Sequence, residues 1–398
     1  MIVKPRIKGF MCATSHPSGC AMDVQRQVEY VVEQGQISNG PARVLIIGAS
    51  GGYGLATRIS AAFGCNAETI GVFFERAASS KYTASPGWYK SAAFAEQAAE
   101  KDLYAKNING DAYSEEVKQA AISLIKEDLG QVDMVVYSLA APARKLSDGS
   151  IVRGTLKPIG EPYDGMTINI NSGELRAISL EPASPEEVAD TVKVMGGEDW
   201  ERWIAVMLEA GVLADGCITT NYTYLGSEVT WPIYYQGTIG KAKEDLDRAA
   251  LALKEPMSQI GGEAKVVVMK GVLTQAASAI PGMPIYLSLL FKAMKKAGTH
   301  EGCIEQTTRL FATRLFSPGS PGTDDEGRIR MDDLELADDI QAYIKDNWSD
   351  VNTMTLSDVA DVAGYRQAFM ELYGFGFDGV DYEADINTEW EMELVPSD

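Results

Sequence analysis

Arg43-Val-Leu-Ile-Ile-Gly48-Ala-Ser-Gly51-Gly52-Tyr53-Gly54-Leu-Ala56 decides the fold. Val44 to Ile47 are consecutive apolar residues, the pattern of a strand buried on both faces of a parallel sheet. A glycine-rich turn follows at once, and residues 55–63 then carry a helical apolar spacing. Strand, glycine turn and helix make the opening unit of a dinucleotide-binding fold. Gly48 permits the tight turn, while Gly52 and Gly54 let backbone amides and the helix N-terminus approach a pyrophosphate. A glycine-rich β-turn-α unit that binds nothing has the same outline, so the neighbouring sequence must decide.

The glycine spacing is G-x-x-x-G-x-G, the variant of short-chain dehydrogenases and reductases, and not G-x-G-x-x-G. Residues 67–75 read as a second strand ending in an acid. Glu75 lies ~20 residues beyond the glycines, where a carboxylate accepts from the adenosine ribose hydroxyls and repels a 2′-phosphate. On position alone, a solvated acid at a strand end is as good a reading. The functional reading makes the cofactor NADH and not NADPH. Residues 103–108 form a third strand closed by Gly110-Asp111-Ala112, with Asp111 placed to receive an adenine amino group. Residues 131–140 form a fourth, entering the small-residue turn Ser138-Leu139-Ala140. Helices over 91–101 and 114–128 separate these strands. Four βα units within ~100 residues predict an α/β, Rossmann-like, doubly wound parallel sheet of extended short-chain dehydrogenase/reductase type.

Beyond the fourth strand the periodicity fades. Residues 141–195 look like hairpins around turn residues, a lid-like insertion over the cofactor cleft. Ser184-Pro-Glu-Glu opens a helix, with proline at its first position and acids in its first turn. Trp200 and Trp203, on the next helix, are packing residues by spacing. A fifth strand is expected over 216–226, a helix ending near Leu253, a sixth strand over 265–271, and helices over 285–296 and 303–315, the latter closing the core. Residues 317–331 form a loop and a short strand, and 332–398 an acidic, helical C-terminal extension without a motif. At the other end, His16-Pro-Ser-Gly-Cys20 reads as a turn before a helix over 22–34; no third ligand stands near to make it a metal site. The chain, 1–398, is expected to be a single catalytic domain carrying these additions.

Composition narrows the function classes. The formal net charge of −21 argues against nucleic acid or an anionic membrane as partner. An acidic carrier protein or a phosphate-bearing substrate would be repelled at long range, so it would need a local basic patch. Lys292, Lys295 and Lys296 are one possible patch, a solvated helix face the alternative. Five widely spaced cysteines without a CxxC pair suit reduced thiols in a cytoplasm. With two histidines, a histidine-rich metal site is excluded, and no run of ~18 apolar residues suggests a membrane span.

The chemistry gathers after the fifth strand, in Tyr222, Tyr224, Tyr234, Lys241 and Lys243. Hydride addition to a carbonyl or conjugated alkene develops negative charge on oxygen. A tyrosine hydroxyl can donate to it, and a nearby ammonium lowers the phenol's pKa and holds the cofactor ribose. None of the 17 tyrosines has a lysine four residues later, so the ordinary Y-x-x-x-K pair is missing. From Tyr234, an unbroken helix would bring Lys241 to the same face and turn Lys243 away. Pro232, Gly237 and Gly240 make such a helix doubtful, and spacing leaves the lysine open.

Taken in order, Ile2-Val-Lys-Pro5, His16-Pro-Ser-Gly-Cys20, the Gly48–Ala56 turn, Val194-Met-Gly-Gly-Glu-Asp-Trp-Glu-Arg-Trp203, Tyr234-x8-Lys243 and Ala279-Ile-Pro-Gly-Met-Pro284 span nearly the whole chain. In these motifs the sequence resembles the FabV-type enoyl-acyl-carrier-protein reductases and the related trans-2-enoyl-CoA reductases. The resemblance implies NADH-dependent reduction of trans-2-enoyl thioesters in fatty acid synthesis, with enoyl-CoA or enoyl-acyl-carrier protein as substrate. It selects Lys243, implying Tyr234 as proton donor, Tyr224 at the substrate oxygen and Lys243 on the nicotinamide ribose. It implies cofactor contacts at Gly48, Ala49, Ser50, Gly51, Gly52, Tyr53, Phe74, Glu75, Asp111, Ala112, Leu139, Ala140, Val272, Leu273 and Thr274. Gly51 departs from the larger side chain expected in some members. A monomer is expected. The rival readings are a short-chain carbonyl reductase, disfavoured by the absent Y-x-x-x-K, and an NADH-binding regulator without catalysis, disfavoured by the retained tyrosine–lysine pair.

Overall fold

The computed structural model describes residues 1–139, 141–146, 148–319 and 321–396. Its centre is a seven-stranded, wholly parallel sheet of β1 (Arg43–Ile47), β2 (Glu68–Phe73), β3 (Ala105–Asn109), β4 (Val132–Tyr137), β5 (Leu213–Thr223), β6 (Glu263–Val268) and β7 (Ile329–Arg330). The strand order is 3-2-1-4-5-6-7. Val44 faces Thr69 on one side and Met134 on the other, so the glycine-turn strand lies in the middle. The order reverses between β1 and β4, and a ligand cleft forms at such a reversal, beyond the carboxyl ends of the strands.

Burial on both faces explains the unbroken apolar run in β1. Leu45 and Ile47 pack with Trp200 and Trp203 of α6 (Glu198–Glu209) and Leu246 of α7 (Thr238–Ser258). Val44 and Ile46 pack on the opposite face with Leu310 of α9 (Cys303–Leu310) and the neighbouring Phe311. Outside this face lie α1 (Pro17–Gln34), α2 (Gly52–Ile59) and α3 (Pro86–Glu100). α4 (Glu115–Leu124) completes the first wound half. Both tryptophans are packing residues, fully buried, with Trp200 Nε1 donating to Thr219 Oγ1 at 2.8 Å.

Two antiparallel hairpins (Ala143–Lys145 with Ile151–Arg153, and Tyr163–Ile168 with Leu175–Leu180) and α5 (Pro185–Met195) occupy the stretch after β4. Ser184 caps α5 in a capping box with Glu187.

Several boundaries differ from the sequence reading for local reasons. α1 begins at Pro17, inside the stretch read as a turn, because His16 Nδ1 accepts from Gly19 N–H at 3.3 Å and Pro17 sits at the first helical position. α7 runs five residues past Leu253, with Pro256 in its last turn. The helix at 303–315 does not close the core. α8 (Met283–Ala297) is covered in turn by α10 (Asp338–Trp348) and α12 (Val362–Leu372), which bury Ile340, Ile344, Tyr365 and Phe369 against it; α11 (Leu356–Val359) links the two. Past α12 the described C-terminal residues are not helical. They run back over α3 and β3, where Trp88 Nε1 donates to Trp390 O and Val395 N to Asn107 O.

Candidate active site

Two cavities share Tyr53, Ser138, Leu139 and Thr274 and so form one cleft at the switch point between β1 and β4. The outer half, about 560 Å³, is floored by the glycine turn. Gly48 has φ +90°, and a Cβ there would stand 2.2 Å from the Ser138 carbonyl oxygen. A Cβ at Gly54 would stand 2.0 Å from Gly48 O. The turn is therefore drawn against the end of β4, and only glycine fits at either position. Gly51 is extended with open space around it, which is why a larger residue is compatible there. Ser50 Oγ donates to Glu75 Oε1 at 2.7 Å, holding the acid over the turn.

Gly52, Tyr53, Phe74, Asp111, Ala112 and Leu139 also line this half. Asp111 Oδ1 accepts from Tyr113 N–H at 3.0 Å, fixing the turn after β3. Below it, Lys118 Nζ and Trp203 Nε1 both donate to Ala112 O, at 3.0 Å each. Lys118 is paired in turn with buried Asp199 at 2.9 Å, and Tyr137 donates to the same carboxylate. Ala49 is fully buried in the core and does not line the cleft. Leu273 packs its side chain in the core around α8, whereas Val272 and Thr274 line the cleft. Ala140 lies outside the described residues.

The inner half, about 450 Å³, is largely apolar and holds the tyrosines. Tyr234 does not lie on a helix. It sits in the turn before α7, its carbonyl accepting from Gly237 and Gly240 N–H. A Cβ at Gly240 would collide with Tyr235 O, so this compact approach requires the glycine. The turn resolves the two lysines. Lys241 is exposed and paired with Glu244, while Lys243 lines the cavity and donates to Tyr222 O at 3.2 Å. Burial pulls Lys243 down to about 8. The Tyr234 ring is buried among Ile233, Leu273 and Met283. Among the described residues its hydroxyl has no hydrogen-bond partner, although the residue faces the cavity. Burial first, and then the Glu335 charge, hold this phenol well above the usual tyrosine value.

Tyr224 stands edge-on to Tyr234, ring centroids 4.9 Å apart. Its hydroxyl donates to Glu335 Oε1 at 2.8 Å, and Tyr286 of α8 donates to the same oxygen. Glu335 Oε2 accepts from Gly271 N–H, beside the cleft-lining Val272. Burial raises the Glu335 pKa, with Lys270 the largest opposing influence. Tyr222, two residues earlier, pairs its hydroxyl with Thr57 at 2.8 Å and packs against Tyr53. Sequence reasoning missed Glu335, Tyr286 and the cavity-lining Phe10, Met11 and Met195. No motif marks Glu335, Tyr286, Phe10 or Met11, and Met195 falls within the 194–203 motif without having been singled out.

The residues present fit a nicotinamide dinucleotide. The Gly48–Gly54 cradle is open where a pyrophosphate would lie. Asn221 Nδ2 and Thr223 Oγ1 are buried without partners, and both residues line the inner half. Residues 2–80 match a family described as the NAD(P)H binding domain of trans-2-enoyl-CoA reductase, and residues 82–316 the trans-2-enoyl-CoA reductase catalytic region. The chain belongs to this enoyl reductase family. An enoyl-[acyl-carrier-protein] reductase [NADH] of Serratia proteamaculans is 54% identical over 99% of each chain. The trans-2-enoyl-CoA reductase of Clostridium acetobutulicum, solved with NADH, superposes with TM-score 0.96 at 42% identity over 98% of each chain. That of Treponema denticola, solved with NAD, gives 0.94 at 45% identity over 99% of this chain and 100% of the other. The resemblance read from the motifs is thereby confirmed, as is the reaction class: NADH-dependent reduction of an enoyl thioester.

Residues 323–386 match an enoyl reductase FAD binding domain. In this enoyl reductase they do not fit a flavin. The strand described there is Ile329–Arg330, no glycine turn leads from it into a helix, and the helices that follow bury their apolar residues around α8. What the segment gives the site is Glu335, buried behind Tyr224.

Proposed function

We propose that this chain reduces a trans-2-enoyl thioester, carried on coenzyme A or acyl-carrier protein, within fatty acid synthesis, with Tyr234, Tyr224 and Lys243 in the roles expected above. Bound NADH supplies the hydride to C3 of the conjugated acyl group. Negative charge then moves to the thioester oxygen. Tyr234, kept protonated by burial, donates to that oxygen, and C2 is protonated from the same side. The apolar cavity makes such a donor worth more than it would be in water. Lys243 is held by Tyr222 O with ammonium hydrogens left for a ribose hydroxyl.

Tyr224 can help only if its single proton faces the substrate. With Glu335 ionised, that proton is spent on the carboxylate. With Glu335 protonated, the acid proton can go to the Tyr224 oxygen while Tyr286 still donates to the carboxyl, and the Tyr224 proton is free to point into the cavity. Burial of Glu335 favours the second arrangement.

One observation carries the reading: a buried tyrosine whose unpartnered hydroxyl faces an apolar cavity beside a half-buried lysine. Tyr234→Phe is expected to lower turnover by roughly 10²–10³ while NADH still binds. Unchanged turnover rejects the role. In this reading the chain is one catalytic unit, since cradle, tyrosines, lysine and Glu335 come from one chain, and it is proposed to act as a monomer. It works in the cytoplasm, which its five free cysteines suit. No helix among the described residues is long and apolar enough to cross a membrane.

A further inference from the structure

A chain carrying −21 repels acidic partners, so cations that escape pairing stand out. Four of them lie together. The N-terminal hairpin pairs Ile7–Lys8 with Met11–Cys12, and its tip presents Phe10 and Met11, 48% and 54% exposed, on the wall of the inner cavity. Beside the same hairpin is a groove of about 490 Å³, lined by Lys4, Arg6, Lys8, Lys81 and Tyr82. Lys4 is paired with Glu383. Arg6, Lys8, Lys81 and the nearby Arg76 form no ion pair among the described residues. The face is also apolar. Met1, Ile2, Phe10, Met11 and Tyr82 make up five of the eleven large apolar side chains exposed among the described residues. It is held in shape: Met1 O accepts from Ile386 N, Thr14 Oγ1 donates to Lys4 O at 2.7 Å, and Ser15 N donates to Thr83 Oγ1 at 3.1 Å.

Exposed apolar side chains rimmed by unpaired cations suit an acidic protein surface, the apolar residues supplying contact and the cations steering. A bare nucleotide would use the charges and leave most of the apolar area uncovered. We propose that this face docks an acidic carrier protein presenting its acyl group on a phosphopantetheine arm, with the arm passing the Phe10–Met11 lip into the cavity. The proposal rests on the enoyl-thioester reading and commits to the protein carrier over coenzyme A.

The test uses the full-length Lys8→Glu/Lys81→Glu variant and one crotonyl group on three handles: acyl-carrier protein, coenzyme A and N-acetylcysteamine. We expect KM for the carrier-protein thioester to rise about tenfold at low ionic strength, with kcat unchanged and the other two KM values within about twofold. The defect should shrink as salt is added. An equal loss with the coenzyme A thioester would mean the groove reads nucleotide phosphates and would overturn the proposal, as would an unchanged KM with the carrier protein. A wild-type protein that reduced none of the three would instead strike the enoyl-thioester reading. The N-acetylcysteamine substrate has neither carrier, so it separates the two failures and reports that the variant is folded.

Discussion

Replacing Glu335 by alanine and by glutamine separates two accounts of Tyr224. In alanine, two tyrosine hydroxyls and the Gly271 amide lose their common partner. Each orphaned buried group costs about 1–3 kcal/mol, so stability should fall by several kcal/mol and Tyr224 should lose its aim. The loss of one oriented oxyanion donor then sets the catalytic penalty at roughly 10²–10³ in kcat. Glutamine keeps every partner: its amide oxygen accepts from Gly271, and its NH₂ donates to Tyr224 and Tyr286, where a protonated Glu335 has one proton to give to Tyr224. Both tyrosine protons stay free. We therefore expect Glu335→Gln to retain kcat within about fivefold, which is a change of about 1 kcal/mol. The assay is the decay of NADH absorbance on a crotonyl thioester, with melting temperature measured alongside. Because the wild-type pKa is raised, any alkaline limb due to Glu335 lies above the ordinary carboxylate range, and glutamine removes it. If Glu335→Gln is as slow as Glu335→Ala while folded and binding NADH, an anionic acceptor is what Tyr224 needs, and its role as donor to substrate is refuted.

Other outcomes follow from the same geometry. Lys243 carries its ammonium below its depressed pKa of about 8 and loses it above, so kcat/KM should fall as pH rises through about 8. Lys243→Arg, charged throughout, should lack that limb in the pH–rate profile. Removing the acid that Ser50 holds over the turn, by Glu75→Ser, should shift the NADH-to-NADPH preference by about tenfold or more toward NADPH, read from kcat/KM for each cofactor. Gly48→Ala combines a φ of +90° with a 2.2 Å approach to Ser138 O and should cost about 2–4 kcal/mol and abolish NADH binding, measured by calorimetry. Gly51→Ala, extended and in open space, should change neither.

The sheet was legible because parallel strands buried on both faces announce themselves. Val44–Ile47 cannot sit at a surface, and the glycines behind them mark a turn only that fold needs. Boundaries were less legible where a single side chain sets them. His16 starts α1 by accepting one amide hydrogen, and nothing in His16-Pro-Ser-Gly-Cys20 distinguishes that cap from a free turn. The C-terminal helices were read as an appendage because their sequence is acidic. Their buried faces rest on only a few residues, such as Ile340, Ile344 and Phe369, which cover α8 and are spread thinly among the charges.

The site divides along the same line. Gly48, Gly52, Glu75 and Asp111, at strand ends and the turns that follow them, were suggested by spacing, since the fold delivers those positions to one cleft, whereas Val272 and Thr274 were named only through the family resemblance. Spacing did not place Lys243. Helix geometry favoured Lys241, Gly237 and Gly240 left the choice open, and the family resemblance selected Lys243; the turn those glycines allow between Tyr234 and α7 is what brings Lys243 to the cavity. Glu335 could be found by no local argument: it follows Asp332 and Asp333 in an acidic stretch and meets Tyr224 across 111 residues of chain. Its role arises from packing alone. The segment after β7 threads one acid into the core under α8, where the two tyrosine hydroxyls and a backbone amide await an acceptor. Sequence can display the groups that carry a reaction. The neighbour that fixes which way a proton points belongs to the folded chain.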